Sequence, residues 1–295
     1  MLQRKSKKIQ KKLQNSLIQD PISICSAFKK YDFDELAIFY PPLSKYVHFS
    51  SSGVSVIDWK DPQALRELTK AILIHKFQIK YWELPSKFLC PTIPSRINYL
   101  EWIDSLLKNE KKNADFVKGL DIGTGASLIY PILGYKLFKW HFVASEKNPE
   151  AYKNALEIQT NNDFQPFIEM RLAKDGIFKG IIKKNDDLFD FSMCNPPFFE
   201  NLREQKTVNW RTCEIKEFEA EFQGGELEFV KQIFDESLEF KKKVKFFTSL
   251  IGRKKDYEAI LIYLNNKKEN DHFEIISKAL HIGQNTRWVI AWRFL

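Results

Sequence analysis

Short apolar runs alternate with amphipathic segments from about residue 96 to the end of the chain. Apolar runs of about four to eight residues predict strands. The predicted strands are Phe116–Leu120, Trp140–Ala144, Phe167–Leu172, Leu188–Cys194 and Val244–Leu250, followed by a hairpin of Phe273–Ala279 and Arg287–Phe294. Strands that alternate with helices in this way are typical of α/β folds. We therefore expect a doubly wound α/β sheet.

Two helices in this region are predicted from an end signal or an apolar face. Asn148-Pro149 places a capping residue before a proline at the first helical position, so a helix is expected to run to about Thr160. A second, amphipathic helix is predicted from apolar residues three to four positions apart, namely Leu227, Val230, Phe234 and Leu238. Between them, residues 200–223 are polar and have no apolar period, which predicts a long, flexible substrate loop.

The part of the chain before residue 96 has a different character. Residues 1–20 are polar and basic, whereas residues 21–95 are predicted to be ordered and mostly helical, with a short strand at Val54–Trp59. Asp61-Pro62 marks a helix start, and prolines 85, 91 and 94 predict an irregular connector. We predict a basic N-terminal module over residues 1–90 and an α/β domain over residues 91–295.

Composition and charge restrict the class of protein. Of 295 residues, 44% are hydrophobic and 28% are charged, which is typical of a globular chain. The sequence lacks the run of about 18 apolar residues that a transmembrane helix needs and the apolar core of a secretory signal. The formal net charge is +8, which favours a polyanionic partner. Six basic residues among the first twelve indicate either a solvated tail or a nucleic-acid-binding arm or nuclear import signal: Arg4, Lys5, Lys7, Lys8, Lys11 and Lys12.

The four cysteines, at positions 25, 90, 194 and 213, are far apart. Without a CxxC pair, a zinc knuckle or a dithiol redox site is excluded on spacing. Unpaired thiols in a reducing compartment are the simplest interpretation.

Three segments at predicted strand ends have the residue types of a ligand site. Asp121-Ile122-Gly123-Thr124-Gly125 follows a strand, and its glycines allow a bound cofactor to approach the backbone, although turns of this kind are also common in purely structural roles. Glu146 ends the next strand, 23 residues after Gly123. An acid at this position can accept hydrogen bonds from the ribose hydroxyls of a nucleoside cofactor. The alternative interpretation is an ordinary turn residue.

The third segment, Asn195-Pro196-Pro197-Phe198, ends the fourth predicted strand. An exocyclic adenine amine is a poor nucleophile because its lone pair is delocalised into the ring. The Asn195 side-chain oxygen and the Pro196 carbonyl can both accept its N–H protons and so localise that lone pair. The prolines stiffen the turn, and Phe198 can stack on an extruded base. A proline-rich surface turn is the alternative, but the three segments in this order favour a catalytic site.

Together these residues resemble an S-adenosylmethionine-dependent N6-adenine methyltransferase with a Rossmann-like class I fold. The resemblance extends to one family, which comprises eukaryotic methyltransferase-like protein 16, a modifier of U6 snRNA and some mRNA hairpins, and a bacterial 23S rRNA adenine-N6 methyltransferase. The segments that carry it are Phe88–Tyr99, Asp121–Gly134, Cys194–Phe199, Gly224–Lys231 and Arg287–Trp292. The resemblance implies that residues 1–90 are an RNA-binding module and residues 91–295 a Rossmann-like methyltransferase domain.

The resemblance implies roles for individual residues. Contacts to S-adenosylmethionine are implied at Arg96, Gly123, Glu146, Asp175 and Asn195, and Asp175 stands where eukaryotic members usually have Thr. The guanidinium of Arg96 suits the methionine carboxylate, and Lys174 matches a lysine in a loop that the family uses to gate the cofactor. The implied catalytic residues are Asn195, Pro196, Pro197 and Phe198. Direct methyl transfer from a sulfonium needs neither a metal nor a histidine base.

The two branches of the family differ in their targets. The Gly225–Lys231 run, Gly252–Lys255 and Arg287-Trp288 look eukaryotic, whereas Lys174–Ile182 and Phe247–Leu250 look bacterial. We favour the eukaryotic branch, which implies structured RNA as partner, U6 snRNA as target and a nuclear location. The bacterial branch would imply 23S rRNA and the cytoplasm. A protein glutamine methyltransferase and an inactive RNA-binding protein are further alternatives.

Overall fold

The computed structural model describes residues 31–110, 116–197, 222–269, 271–282 and 285–295. In chain order the elements are α1 (Phe33–Phe39), a 3-10 helix (Pro41–Tyr46), β1 (Val47–Phe49), β2 (Ser55–Ile57), α2 (Pro62–Phe77), α3 (Ile93–Asn109), β3 (Lys118–Ile122), α4 (Ile129–Phe138), β4 (His141–Glu146), α5 (Pro149–Asn161), β5 (Ile168–Leu172), β6 (Phe189–Cys194), α6 (Gly225–Phe240), β7 (Val244–Ile251), α7 (Lys254–Lys267), β8 (Phe273–Ile282) and β9 (Asn285–Phe294).

The central sheet has the strand order β5-β4-β3-β6-β7-β9-β8. Strands β3 to β7 are parallel, and β9 is antiparallel to both β7 and β8. The chain adds strands outward from β3 in one direction and from β6 in the other, so the order reverses between these two strands. Open α/β sheets bind ligands beyond the carboxyl ends of the strands at such a reversal. The predicted doubly wound, Rossmann-like sheet is confirmed, and its topology brings the segments after β3 and β6 together.

Both faces of the sheet are covered, as the almost fully buried central strands β3 and β6 require. On β9, Val289 and Ala291 point into one core, which includes residues of α2 to α5, whereas Ile290 and Trp292 point into the other, with residues of α6 and α7. The two cores follow from the two-residue period of the strand side chains.

The segment before residue 91 packs on the first of these cores. Helix α2 begins at Pro62 after the Asp61 cap, as predicted, and buries Leu68 and Ile72 in that core. The Trp82 ring N–H donates to the carbonyl of Ser127, 2.9 Å away, so this segment braces the loop after β3. Residues on both sides of position 90 share one core. The division of the chain into an RNA-binding module and a catalytic domain therefore concerns their functions, and it stays a prediction.

Some elements differ from their predictions. The predicted connector ends earlier than expected, because Ile93-Pro94 opens helix α3, where proline suits the first turn. Strand β3 lies two residues later than predicted, since Asp121 pairs with Ala144 and Met193 and is therefore part of the strand rather than of the turn. Of the short strand predicted at Val54–Trp59, only β2 forms, because pairing with β1 is limited to the residues of β2.

Several predictions fall on residues outside the described ranges. These are the basic tail over residues 1–20, Phe198, and residues 200–221 of the predicted loop. Among the residues that the structure does describe, no helix combines the length and the apolar character needed to cross a bilayer.

Candidate active site

The loop after β3 presents backbone to the crevice between β3 and β6. Gly123 has a φ of +68°, and no atom lies within 4 Å of the place where a Cβ would be. The amide of Thr124 donates to the carbonyl of Ser145, 2.9 Å away, which ties the loop to the end of β4. A side chain at position 123 would strain the backbone and occupy open space beside the strand ends. The loop is therefore shaped for close approach of a ligand.

Glu146 ends β4 and fixes the same loop through its side chain. One carboxylate oxygen, Oε2, accepts from the Gly125 amide at 2.9 Å, and Oε1 accepts from the amides of Lys147 and Asn148, each at 2.8 Å. Burial raises the pKa of Glu146, an effect opposed by these three amide donors. A carboxylate has about four acceptor positions, so one stays open for a hydroxyl donor.

Asp121 is buried at the carboxyl end of β3, and sequence reasoning placed it in the loop segment without a role of its own. It is 1% exposed, and neither its carboxylate oxygens nor the Thr124 hydroxyl has a hydrogen-bond partner within the described part of the chain. Burial raises the pKa of Asp121 to about 7, the nearby Thr124 hydroxyl lowers it, and the charge of Glu146 raises it further. Buried polar atoms without partners are rare, and here they point to a ligand that donates hydrogen bonds.

The raised pKa of Asp121 makes the stability of the unliganded protein depend on pH. A carboxyl that binds its proton more tightly when folded stabilises the fold most at low pH, and this contribution is lost as pH rises from about 4 to about 7. Replacing Asp121 by Asn should remove that loss. We expect the variant to be more stable than wild type at pH 8 by about 1 kcal/mol or more, since one pKa unit corresponds to about 1.4 kcal/mol. At pH 4 the difference should shrink.

Urea unfolding at pH 4 and pH 8 measures this effect. Asp187→Asn is the control, because the Asp187 side chain is 87% exposed. A wild-type-like pH profile in Asp121→Asn would contradict the assignment.

Asn195 follows β6, next to the loop after β3. Its Oδ1 atom is buried and accepts no hydrogen bond from any residue that the structure describes. Pro196 is buried as well. Burial raises the pKa of the preceding Cys194 well above its usual range, so this thiol is neutral and unsuited to act as a nucleophile. A buried amide oxygen without a partner in the described residues is able to accept a hydrogen bond from a ligand.

Arg96 lies in the first turn of α3 and faces the same region. Its Nη1 donates to the Thr92 hydroxyl at 3.2 Å. Within the described ranges, its buried Nε and the buried hydroxyl of Tyr130 have no hydrogen-bond partners. Burial raises the pKa of Tyr130, and the charge of Arg96 lowers it, which places the two side chains within electrostatic reach of each other. The site thus has unpartnered donors as well as acceptors.

Glu226 is a further buried acid at this edge, and sequence reasoning gave it no role. It is 2% exposed and accepts from the Gly252 amide at 2.7 Å and the Arg253 amide at 3.3 Å, so the start of α6 holds the end of β7. Burial raises the pKa of Glu226 to about 7. Arg287 of β9 lies within electrostatic reach of both Glu226 and Arg96.

The other predicted residues lie in different surroundings. Lys174 and Asp175 are exposed in the loop after β5, at the same edge of the sheet as Glu146. Lys241–Lys243 lie between α6 and the start of β7, at the opposite edge. His75 is bound to Glu35 at 2.7 Å and stacks on Phe39, so it serves the packing of the N-terminal segment.

The sequence contained one signal for the missed residues. Asp121 and Glu226 are charged residues beside apolar runs, and the structure buries both. A buried charge usually has a partner or a function, but burial becomes visible only when the fold is known.

The arrangement fits a cofactor with hydroxyl, amine and carboxylate groups. Acceptors at Asp121, Glu146 and Asn195 and a guanidinium at Arg96 surround a loop with room above Gly123. Among the described residues, no group of three or more His, Cys, Asp or Glu side chains is placed to hold a metal ion.

Comparison with known proteins shows the family. An RNA methyltransferase family profile matches residues 26–295. The ribosomal RNA large subunit methyltransferase F of Bacteroides fragilis is 35% identical, over 90% of this chain and 95% of that protein. The U6 small nuclear RNA (adenine-(43)-N(6))-methyltransferase of Dictyostelium discoideum is 34% identical, over 90% of this chain but only 53% of that protein.

Solved structures agree with the sequence comparison. The human METTL16 catalytic domain in complex with the MAT2A 3′UTR hairpin 6 has a TM-score of 0.79 and 32% identity, covering 90% of this chain and 94% of that one. The N-terminal domain of human METTL16 in complex with SAH has a TM-score of 0.75 and 30% identity, covering 90% and 95%. From its fold, its site and these likenesses, the chain belongs to the RNA methyltransferase family.

Proposed function

We propose that this protein transfers a methyl group from S-adenosylmethionine to N6 of an unpaired adenine in structured RNA. The observation that carries the proposal is the buried, unpartnered Oδ1 of Asn195, which lies in the described structure beside a glycine loop bound by Glu146. A relative of 30% identity has been solved with SAH, and the Dictyostelium relative is named for adenine N6 methylation. Both support the assignment.

Four residues would hold the cofactor. Glu146 has an acceptor position left for the ribose hydroxyls, Gly123 leaves room for the backbone approach, and Arg96 offers a fork of donors to the methionine carboxylate. The unpartnered oxygens of Asp121 suit an ammonium donor. When bound, the sulfonium supplies an electrophilic methyl group. Asp175 is exposed in the loop after β5, a position from which its side chain could contact the cofactor at the rim of this site.

The residues after β6 would prepare the acceptor amine. Asn195 Oδ1 and the Pro196 carbonyl accept the two N–H groups of the adenine amine, which concentrates its lone pair on nitrogen. Pro196 and Pro197 fix the backbone φ, so the acceptors need little reorganisation during the reaction. Phe198, which lies outside the described residues, would stack on the base.

The proposed pocket predicts which form of adenine reacts. In an A-form duplex N6 lies in a deep, narrow groove, so a paired adenine cannot place its amine between two acceptors. We expect a hairpin with a free loop adenine to be methylated, and the same hairpin with its loop paired to a complementary strand to react much more slowly, because unpairing costs a few kcal/mol. Incorporation of labelled methyl groups into the two forms measures this. Equal rates would contradict the pocket assignment.

The RNA target has two candidates. The eukaryotic-type segments favour U6 snRNA and a nuclear location. The bacterial relative supports large-subunit rRNA, because its identity is similar and the match covers 95% of its length. Mapping of N6-methyladenosine in both RNAs, with and without the gene, decides between them. Methylation of a glutamine-containing peptide in place of RNA would instead support a protein methyltransferase.

A further inference from the structure

A carboxylate on α6 holds the loop that follows β5. Within this loop, the amide of Ile177 donates to Glu236 Oε2 at 2.9 Å and to Oε1 at 3.1 Å, and the amide of Phe178 donates to Oε2 at 3.0 Å. Gln232, one turn earlier on the helix, donates to Oε1 at 3.2 Å and orients the carboxylate. Glu236 lies more than two helical turns after Glu226 and takes no part in the site described above.

The other end of the same loop is tied to Glu146. The amide of Ala173 donates to the backbone carbonyl of Glu146 at 2.8 Å. Between this bond and the Glu236 contacts lie only the exposed residues 174–176. A span of three residues with both ends fixed has few conformations, so its side chains are held at the carboxyl edge beside Glu146.

The turn is built around the Glu236 carboxylate. Gly176 has a φ of +70°, and a Cβ there would lie 3.1 Å from Glu236 Oε2 and 3.2 Å from Oε1. On the other side, Phe178 is fully buried, and its ring lies 5.5 Å from that of Phe247. Glycine is thus required at 176 both for its backbone conformation and for the close approach of the carboxylate.

We propose that Glu236 is a positioning residue for the cofactor. By holding the amides of Ile177 and Phe178, it fixes the span of Lys174, Asp175 and Gly176 beside Glu146, so that this span forms one wall of the cofactor site. The inference rests on the proposed function, since it assumes that the cofactor binds beside Glu146. Without the carboxylate, the span would sample other conformations and the competent fraction would fall, which weakens apparent affinity in proportion.

The chain offers a matched control on the same helix. Glu239 lies three residues after Glu236 and pairs with Lys179 at 2.7 Å, with both side chains more than half exposed. Such a solvent-exposed pair contributes little to stability, because water and salt screen the two charges. The variant Glu239→Ala therefore removes a carboxylate that contacts a side chain of this loop. Unlike Glu236, this carboxylate accepts no hydrogen bond from the described backbone amides of the loop.

The experiment measures two quantities in the full-length protein: hydrogen–deuterium exchange of a peptide covering residues 173–180, and the affinity for S-adenosylmethionine by calorimetry. For Glu236→Ala we expect faster exchange and an affinity about five- to tenfold weaker, with kcat at saturating cofactor little changed. Glu236→Gln should fall between wild type and Glu236→Ala, because one oxygen can still accept from both amides while its NH₂ group faces the Gln232 donor. Glu239→Ala should stay close to wild type.

A second variant acts on the loop itself. Gly176→Ala should weaken cofactor binding in the same direction, because a Cβ at φ +70° strains the turn and crowds both Glu236 and the Cβ of Lys179. Unchanged exchange or unchanged affinity in Glu236→Ala, with a melting temperature near that of wild type, would overturn the proposal. Failure of the wild-type protein to bind S-adenosylmethionine would overturn the proposed function instead.

Discussion

Replacing Asn195 by alanine is expected to lower turnover by about 10²–10³, the usual cost of removing one pre-organised hydrogen-bond partner of a transition state. The Oδ1 atom is buried at the end of β6 and has no partner within the described residues, so it is free to accept from a substrate amine. The Pro196 carbonyl stays in the variant, which leaves one acceptor in place. Single-turnover methylation of a hairpin RNA measures the loss.

Cofactor affinity should change much less than turnover in this variant. Asn265→Ala is the control, because the Asn265 side chain donates to the Leu261 carbonyl on the exposed face of α7. Near-normal turnover in Asn195→Ala would rule out the proposed activation of the amine. A parallel loss of cofactor binding would make Asn195 chiefly a cofactor contact.

Replacing Glu146 by glutamine should weaken cofactor binding by about ten- to a hundredfold. The two carboxylate oxygens accept from three amides, one on Oε2 and two on Oε1. An amide group has only one oxygen, so its NH₂ must face either the Gly125 amide or the amides of Lys147 and Asn148, donor against donor. The glycine loop loses its anchor and the ribose loses an acceptor, and hydrogen bonds to charged groups contribute about 1.5–3 kcal/mol.

Calorimetric titration with S-adenosylmethionine checks this prediction. Glu150→Gln is the matched control: Glu150 lies in the first turn of α5, its side chain is 58% exposed, and it pairs with Lys87. If Glu146→Gln bound the cofactor as tightly as the control, Glu146 would be a structural cap and not a ribose acceptor.

The two buried acids at this edge have a common electrostatic consequence. Burial raises the pKa values of Asp121 and Glu226 to about 7. Both therefore destabilise the unliganded fold as pH rises toward neutrality. A bound ligand that donates hydrogen bonds to Asp121 would relieve part of this cost, so cofactor binding should stabilise the protein more at pH 8 than at pH 5.

The fold class and the order of the site segments could be predicted from the sequence. Strands β6 and β7 are buried on both faces and are rich in apolar residues, and the Asn148 cap marks a helix start from local hydrogen bonding alone. The glycine loop, Glu146 and Asn195 each follow a strand, and parallel strands bring such residues to one edge. For these features, local pattern and topology give the same answer.

Which polar groups are buried, and what they contact, depends on the tertiary structure. Nothing in their local sequence distinguishes the roles of the acids Asp121, Glu226 and Glu236. The first has no partner in the described residues, the second holds the end of β7, and the third holds the loop after β5. The backbone amides that Glu226 and Glu236 hold are more than 20 residues away in sequence. The cost of desolvating a charge and the contacts that offset it depend on this long-range packing, which local pattern does not encode.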